Sequence, residues 1–143
     1  MNDLHKVSSV YRFSVEIQGI VVGGFSEISG LTAETEMEQY LEGGLNSYTH
    51  KFPKHTRYHN LVLKRGMAYS DDLINWYRDC ISGKIVRRNG AIILYSRAGE
   101  VLRSWSFIEA YPVKWTGATL NANSSNIAFE TLELVYNGFS LDR

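Results

Sequence analysis

Much of the chain alternates between apolar and polar residues with a period of two, a pattern that predicts β-strands. In the first such segment, 11–22, the apolar residues Phe13, Val15 and Ile17 fall on one face. A second segment, 31–40, keeps the alternation although most of its residues are polar. The N-terminal part of the chain is therefore predicted to be built of strands.

The same period continues towards the C-terminus. Further strands or short extended pieces are predicted at 61–64, at 91–95, at 101–108 and around Lys114 and Trp115. The turn-forming residues at 97–100 predict a hairpin between two of these segments. The last strand is predicted at 127–136, where apolar residues occur on both faces, so that strand is expected to be covered on both sides.

One segment, about residues 71–82, has a helical period instead. Ser70 is the predicted N-cap, and Asp71 and Asp72 lie in the first turn, where carboxylates favour the positive end of the helix dipole. Gly83 follows the last turn, where left-handed geometry is needed. The apolar residues that recur at spacings of three and four are Leu73, Tyr77, Cys80 and Ile81. The pattern predicts a mainly antiparallel β domain with one α-helix and no alternation of strands and helices.

The composition bounds the kinds of protein that this chain can be. Its 143 residues, 44% of them hydrophobic, suit a single domain over 1–143 with a real core. Fifteen basic and fifteen acidic residues cancel, so no basic surface for nucleic acid is expected. Cys80 is the only cysteine, which excludes an internal disulfide. We see no signal-peptide pattern and no apolar run of about 20 residues, so we expect synthesis in the cytoplasm and no membrane insertion.

Three glutamates on alternate positions raise the question of catalysis. Glu34, Glu36 and Glu38 lie between two glycine pairs in the segment GGFSEISGLTAETEMEQYLEGG, residues 23–44. In a strand, alternate Cα atoms are ~6.6 Å apart, close to the ~6.5–9.5 Å between the carboxyl groups of an inverting glycosidase. Three acids on an exposed strand face are also typical of a solvated surface, and nothing nearby in the sequence would raise one pKa selectively. We favour the solvated face, and we predict no catalytic residue.

The glycine pairs do not form a phosphate-binding motif. Gly23-Gly24 is followed by FSEISGL rather than by a phosphate-loop or dinucleotide fingerprint, and no helix is predicted after it. We interpret Gly23-Gly24 and Gly43-Gly44 as turns at the two ends of one strand. Asn89-Gly90 is a typical hairpin-turn dipeptide. No cofactor site is predicted.

The histidines, the cysteine and the tryptophans are candidates for a metal site, a nucleophile and a base-stacking surface, respectively. His50, His55 and His59 have spacings of five and four in a loop-like stretch without a cysteine, which favours surface histidines over a metal site. Cys80 on the apolar helix face is expected to be a core residue rather than a nucleophile. Without a basic groove, the three tryptophans, Trp76, Trp105 and Trp115, are expected in the core or in a subunit contact rather than stacked on bases.

Six segments, in order, carry a resemblance to a known family. They are FSVEIQGIVVGGFSEISGLTAETE (13–36), YLEGG (40–44), LVLKRGMAYSDDLINWY (61–77), RRNGAIILYSRAGEVLRSWSF (87–107), AYPVKWTGATLNA (110–122) and IAFETLELVYNGF (127–139). Together they make the chain resemble the tail tube proteins of contractile phages and their relatives in extracellular contractile injection systems. The resemblance implies a small antiparallel β-barrel or sandwich with one flanking helix, related to the type VI secretion ring protein.

The resemblance also implies a function. It implies a structural protein, not an enzyme, whose copies form hexameric rings that stack into a hollow tube. The implied partners are other copies, a sheath protein, baseplate or hub proteins, a tube-terminating cap and protein cargo in the lumen. The particle would be released from the cell. We favour an injection system; the alternatives are a phage tail tube that conducts DNA and a secreted type VI-like ring carrier.

Two groups of residues are assigned to this architecture as hypotheses. Glu34, Glu36 and Glu38 are expected to face the lumen of the tube. The connection at 48–60, YTHKFPKHTRYHN, is unusually basic and rich in histidine, and in the family it reaches towards the adjacent ring. The residues expected to make ring-to-ring or neighbour contacts there are Tyr48, Lys51, Phe52, Lys54, His55 and Arg57.

Overall fold

The computed structural model describes residues 12–20, 24–41, 49–66, 70–123 and 128–142. In chain order its elements are β1 (Arg12–Ile17), β2 (Phe25–Ser29), β3 (Ala33–Leu41), β4 (Thr49–Tyr58), β5 (Leu61–Gly66), α1 (Asp72–Ile81), β6 (Arg88–Tyr95), β7 (Val101–Thr116), β8 (Phe129–Val135) and β9 (Phe139–Leu141). In these ranges the chain is thus mainly β with one helix, as the residue pattern predicts. No helix in the described ranges is long and apolar enough to cross a membrane.

Seven strands form one antiparallel sheet in the order β1-β6-β7-β8-β5-β2, and β9 pairs with β7 beside this path. Strands β1 and β2 end the order and do not pair with each other in the described residues, so the sheet is open rather than a closed barrel. Strands β3 and β4 form a separate two-stranded sheet.

The long strand β7 joins the two halves of the large sheet. It has 16 residues; the part up to Ala110 pairs with β6, and the part from Tyr111 onwards pairs with β8. Just before this change of partner, Glu109 has a φ of 53°, in the left-handed region that non-glycine residues rarely adopt. Its backbone N–H donates to Asn89 Oδ1 at 3.0 Å, and its carboxylate accepts from Asn137 Nδ2. The chain therefore changes sheet halves at a fixed backbone distortion, as in a β-bulge.

The two halves and the helix close over one apolar core. Alternate residues of the strands point inward, which is why β5 and β8 show a strict buried and half-buried alternation. The residues at the centre of this core are Val15, Ile17, Leu61, Leu63, Leu73, Trp76, Ile92, Phe107, Ala110, Leu132 and Leu134. Members come from both halves of the sheet and from α1, so the architecture is a sandwich with one covering helix.

Helix α1 is the element that the sequence describes best. It covers Asp72–Ile81, against the expected 71–82, and it buries Leu73 and Trp76. The N-cap residue is Asp71 rather than the predicted Ser70; the Ser70 hydroxyl accepts a hydrogen bond from the backbone N–H of Asp72 at 3.1 Å.

The helix ends as the sequence predicts. Gly83 has a φ of 97°, its N–H reaches the carbonyl of Cys80, and the Lys84 N–H reaches that of Asp79. This is the Schellman arrangement that a left-handed glycine permits after the last turn.

A buried ion cluster ties the helix to the sheet. Arg65 on β5 is fully buried, and its Nη2 donates to Asp72 Oδ1 at 2.5 Å and to the Ser70 carbonyl at 3.2 Å. Glu130 on β8 lies 3.9 Å from the same nitrogen. Burial raises the pKa of Glu130, an effect that Arg65 only partly offsets. Burial also acts to raise the pKa of Asp72, but the hydrogen bonds from Arg65 and Ser70 outweigh it and the pKa is lowered.

Several local predictions are wrong. The segment between the glycine pairs holds two strands, β2 and β3, rather than one, with Gly30 in the left-handed region between them. Asn89-Gly90 is not a turn but lies inside β6. The segments at 101–108 and at Lys114 and Trp115 are one continuous strand, β7.

Other boundaries are shorter than expected or lie outside the described residues. Strand β1 ends at Ile17, where a turn brings the Ile20 N–H back to the Ile17 carbonyl, so the predicted strand 11–22 is too long. The strand predicted at 127–136 is β8, which runs from Phe129 to Val135, and it is not the last one because β9 follows it at Phe139–Leu141. Gly24 has a φ of 75°, as its predicted turn requires, whereas Gly23 and Gly43-Gly44 are outside the described residues.

Candidate assembly surface

Strands β3 and β4 form a two-stranded ribbon that pairs with no third strand in the described residues. The pairing is antiparallel, and its register shifts between Thr35 and Met37, whose partners are Thr56 and Pro53. Two β4 residues, Lys54 and His55, therefore stand opposite Glu36 alone, which is the definition of a β-bulge. Pro53 lies next to the bulge, a position where a strand tolerates proline although proline cannot donate a ladder hydrogen bond.

One face of the ribbon carries the glutamates and a matching row of cations. Glu34 Oε2 lies 3.4 Å from Arg57 Nη2 and 3.3 Å from His59 Nε2. Glu36 Oε2 lies 3.1 Å from His55 Nε2. Glu34, Glu36, His55 and Arg57 line one shallow depression, which confirms that the first two glutamates share a face.

The electrostatics of this face oppose the acid–base interpretation. Hydrogen bonds to His59 and then to Arg57 lower the pKa of Glu34, so its carboxyl stays ionised rather than holding a proton at neutral pH. A general acid needs the opposite shift, towards a raised pKa. The side chains of Glu34 and Glu36 are more than half exposed, so this face also lacks the dry environment that raises a carboxyl pKa.

Both faces of the ribbon carry apolar and polar side chains that are exposed in the described residues. Thr35 and Thr56 are hydrogen bonded across the strands at 3.2 Å. Met37 is 47% exposed, and Phe52, the cross-strand partner of Glu38, is 46% exposed. An isolated two-stranded ribbon is marginally stable in water, because it has no sheet or helix on which to bury a face. These exposed apolar side chains mark a surface suited to contact with another chain.

The base of the ribbon is anchored on the sandwich. Tyr58, the last residue of β4, packs against the rings of Tyr136 and Phe139 at centroid distances of 6.0 and 5.2 Å. The His59 N–H donates to the Thr32 carbonyl at 3.1 Å. At Gly30 the Asn60 backbone lies so close that a Cβ would be 3.0 Å from its carbonyl carbon. The ribbon is therefore positioned at its base while its strands remain exposed.

The residues predicted for a contact loop lie in a strand. Lys51, Phe52, Lys54, His55 and Arg57 are exposed residues of β4, so the loop conformation expected for 48–60 is wrong over Thr49–Tyr58. Tyr48 is outside the described residues. The strand was missed because most of its residues are polar and the bulge interrupts the alternation.

The cations that pair with the glutamates were also missed, although the sequence contains a signal for them. His55, Arg57 and His59 occupy alternate positions, as the glutamates do, and opposite charges alternating on two neighbouring strands are a cross-strand pairing pattern. His55 and His59 contact different glutamates. In the described part of the chain, no group of three or more histidine, cysteine or acidic residues is placed to hold a metal ion.

The chain matches one protein family in sequence and several solved structures in fold. Residues 9–140 match the sequence model of the family described as T4-like virus tail tube protein gp19. None of the curated proteins matches the chain. Among solved structures, the chain is similar to one in the anti-feeding prophage baseplate, 6-fold symmetrised, with 26% identity, a TM-score of 0.83 and 94% of each chain covered.

Two further structures extend the comparison. The chain is 25% identical to one in the sheath/tube terminator of the extracellular contractile injection system PVC in its extended state, with a TM-score of 0.83 over 94% of this chain and 95% of that chain. Hcp1 from Flavobacterium johnsoniae shares the fold at 20% identity, with a TM-score of 0.60 over 91% of this chain and 94% of that chain.

Proposed function

The chain belongs to the family of the T4-like virus tail tube protein gp19 and is a tail tube subunit, and we propose that its copies form hexameric rings that stack into the hollow inner tube of a contractile injection particle. The observation that carries this proposal is the match over residues 9–140 together with 26% identity to a chain of a 6-fold symmetrised baseplate. Such a tube conducts cargo through a target envelope when the particle contracts.

The choice of an injection system over its two alternatives rests on similarity. The injection-system chains are 26% and 25% identical with TM-scores of 0.83, whereas Hcp1 is 20% identical with a TM-score of 0.60. This order favours an injection-system tube over a secreted type VI-like ring. The family itself is described from a phage, so a phage tail tube that conducts DNA is the second candidate.

The proposed partners follow from this assignment. They are other copies of the chain, a sheath protein, baseplate or hub proteins, a cap that terminates the tube, and protein cargo in the lumen, or DNA in the phage alternative. We propose that residues 1–143 serve as one tail-tube domain, made in the cytoplasm and then carried in a released particle. The role is structural rather than enzymatic.

The β3–β4 ribbon is the proposed element of self-assembly. Each of its strands has one edge without a partner among the described residues, and an unpaired edge is a template for pairing with another chain. Contact with other copies would cover Met37 and Phe52 and supply the third layer or strand that a stable ribbon needs. A head-to-tail contact that closes by rotation gives a ring.

We further propose that the glutamate face of the ribbon lines the lumen and that Lys51 and Lys54 of β4 make the neighbour contacts. The structure adds the cations to this proposal, since Arg57, His55 and His59 stand beside the carboxylates. A lumen wall of this kind carries mixed charge rather than purely negative charge. A cryo-EM map of the assembled tube tests this directly, and glutamates on the sheath-facing side would contradict it.

Negative-stain electron microscopy of the purified protein tests the assembly itself. Rings or hollow filaments are expected, and dispersed particles at every concentration tried would contradict the proposal. Met37→Asp and Phe52→Asp are expected to abolish rings while circular dichroism stays close to that of the wild type, because neither residue belongs to the core. Leu120→Asp, at a site 83% exposed outside the ribbon, is the matched control and should keep the rings.

The enzyme alternative has its own test. If Glu34, Glu36 or Glu38 were catalytic, a single Glu→Gln change would abolish an activity while leaving assembly intact. We expect instead that these changes act on assembly. A glycoside hydrolase activity that is present in the wild type and lost in one of the variants would overturn the structural assignment.

A further inference from the structure

We propose that the β3–β4 ribbon is a pH-sensitive element that becomes more ordered when His55 and His59 are protonated. Each imidazole stands beside a carboxylate of the opposite strand, His55 beside Glu36 at 3.1 Å and His59 beside Glu34 at 3.3 Å. Histidine is the residue type whose charge ordinarily changes between pH 5 and 8. Protonation therefore turns both contacts into cation–carboxylate pairs. The pair of His55 links β3 to β4, and the pair of His59 links β3 to the residue directly after β4.

The ribbon is the part of the sandwich where such weak pairs have a large effect. It has no third strand in the described residues, and its body is exposed on both sides, so cross-strand pairs supply a substantial part of its stability. A buried strand, held by many apolar contacts, would be insensitive to an exposed ion pair. A local element of low stability opens and closes without unfolding the core.

The charged groups around His55 and His59 determine which of the two histidines contributes more to the pH response. Glu34 has a second partner in Arg57, whose charge does not change with pH, and its lowered pKa keeps it ionised throughout the histidine range. Glu36 has no fixed cation among its ion pairs in the described residues; Lys54, in the bulge, stands opposite it in the register. His55 is therefore expected to contribute more to the pH response than His59.

Groups on the neighbouring elements do not cancel this response. At the base of the ribbon, Tyr58 packs against Tyr136, and burial raises the pKa of Tyr136 above its ordinary value near 10, outside the histidine range. Glu38, the third carboxylate, stands opposite Phe52 rather than opposite a cation. The direction follows from the geometry: the cation–carboxylate pairs exist only while β3 and β4 lie side by side, so the ordered form is favoured as the pH falls from 8 to 6.

The consequence for assembly rests on the proposed function. A ribbon that is already ordered loses less conformational entropy when other copies cover it, so assembly is favoured at the lower pH. The two effects are separable, because ribbon order is measured on the protein at concentrations too low for rings.

Hydrogen exchange with mass spectrometry tests the inference, with rates corrected for the intrinsic effect of pH. Peptides covering Ala33–Leu41 and Thr49–Tyr58 are expected to be about three- to tenfold more protected at about pH 6 than at about pH 8, since exposed pairs are individually weak. Peptides from the core strand β8 should show no such change. Equal protection of the ribbon at both pH values would overturn the inference.

Variants assign the effect to the two histidines. His55→Gln should remove most of the pH response, His59→Gln a smaller part, and the double variant all of it. The variant His5→Gln, which alters a histidine outside β3 and β4, should keep the response; its loss there would contradict the assignment. A wild type that shows the exchange response but never forms rings would contradict the proposed function and support this inference. Rings together with a pH-independent ribbon would support the proposed function and contradict this inference.

Discussion

Phe107 on β7 lies directly across the sheet from Gly90 on β6, and its ring fills the space where a side chain at position 90 would stand. A Cβ added at Gly90 would approach ring atom Cε2 of Phe107 to 2.7 Å and the Glu16 carbonyl oxygen to 2.6 Å. Phe107 is 1% exposed and belongs to the core. The glycine is thus required by packing between three strands, not by a turn.

Gly90→Ala is therefore expected to destabilise the protein by about 1–3 kcal/mol, the usual effect of overpacking a core. The Glu16 carbonyl is backbone and cannot rotate away as a side chain would. Gly66→Ala is the matched control, because a Cβ at that strand position meets no atom within 4 Å. Its stability should stay within about 1 kcal/mol of the wild type. Urea unfolding at a concentration too low for assembly measures both changes, and equal stability of the two variants would contradict the packing argument.

The same glycine shows where prediction from sequence stops. Asn-Gly is a strong hairpin signal, yet here the second residue is selected by a phenylalanine 17 positions away, a contact that no local pattern contains. Helix α1 was predicted to within one residue because its signals, the acidic first turn, the apolar spacing and Gly83, are all local. Strand β4 was missed because its polar residues and its bulge hide the period of two.

The candidate surface could likewise be predicted only where the signals are local. The alternation of Glu34 and Glu36 predicted a shared face correctly, since side-chain direction in a strand is a local property. Their partners could not be assigned, because the cross-strand register depends on the bulge at Lys54 and His55. One extra residue in β4 decides which cation meets which carboxylate.

The left-handed backbone of Glu109 gives a prediction about the bend in β7. Glu109→Gly and Glu109→Ala both remove the side chain that bonds to Asn137, but only alanine must hold a Cβ at a φ of 53°. We expect the alanine variant to be less stable than the glycine variant by about 1–2 kcal/mol, the cost of left-handed geometry for an L-residue. Thermal unfolding of the two variants side by side isolates this difference. An alanine variant that is as stable as the glycine variant would show that the bend relaxes instead.

We expect the hydrogen bond between Arg65 and Asp72 to be the main polar contact that holds helix α1 on the sheet. Asp72→Asn removes the charge that faces a fully buried guanidinium, and the expected loss is about 3 kcal/mol, at the low end for a broken buried pair because Glu130 remains 3.9 Å away. Asp71→Asn, one residue earlier and without an ion pair in the described residues, is the control and should cost much less.

The effect of Asp72→Asn should depend on pH. The pKa of Asp72 is lowered in the folded protein, so its contribution to stability is complete above the ordinary value of 3.8 and is lost as the pH falls through the lowered value. The wild type and the asparagine variant should therefore converge in stability only below about pH 3.8. Chemical unfolding between pH 3 and 7 measures this, and a difference that disappears already at pH 5 would contradict the assignment.

Glu130 is expected to show the opposite pH dependence. Burial raises its pKa above the ordinary value of 4.5, so the stability associated with its protonated form is fully present below pH 4.5 and is lost as the pH rises through the raised value. Glutamine has the shape of the protonated carboxyl and stays neutral at every pH. Glu130→Gln should therefore match the wild type near pH 4 and become progressively more stable than the wild type towards pH 7. Glu133→Gln, on the opposite face of β8, is the matched control for removing a carboxylate from this strand.

The result for Glu130→Gln decides whether the cluster around Arg65 is held together by one carboxylate or by two. If Arg65 needed both carboxylates ionised, the glutamine variant would be less stable than the wild type at pH 7, as for any broken buried pair. The distances argue otherwise, because Asp72 is hydrogen bonded to the guanidinium at 2.5 Å while Glu130 stands at 3.9 Å. Asp72 therefore supplies the pairing charge, and the ionised form of Glu130 is retained at a cost in desolvation that glutamine removes.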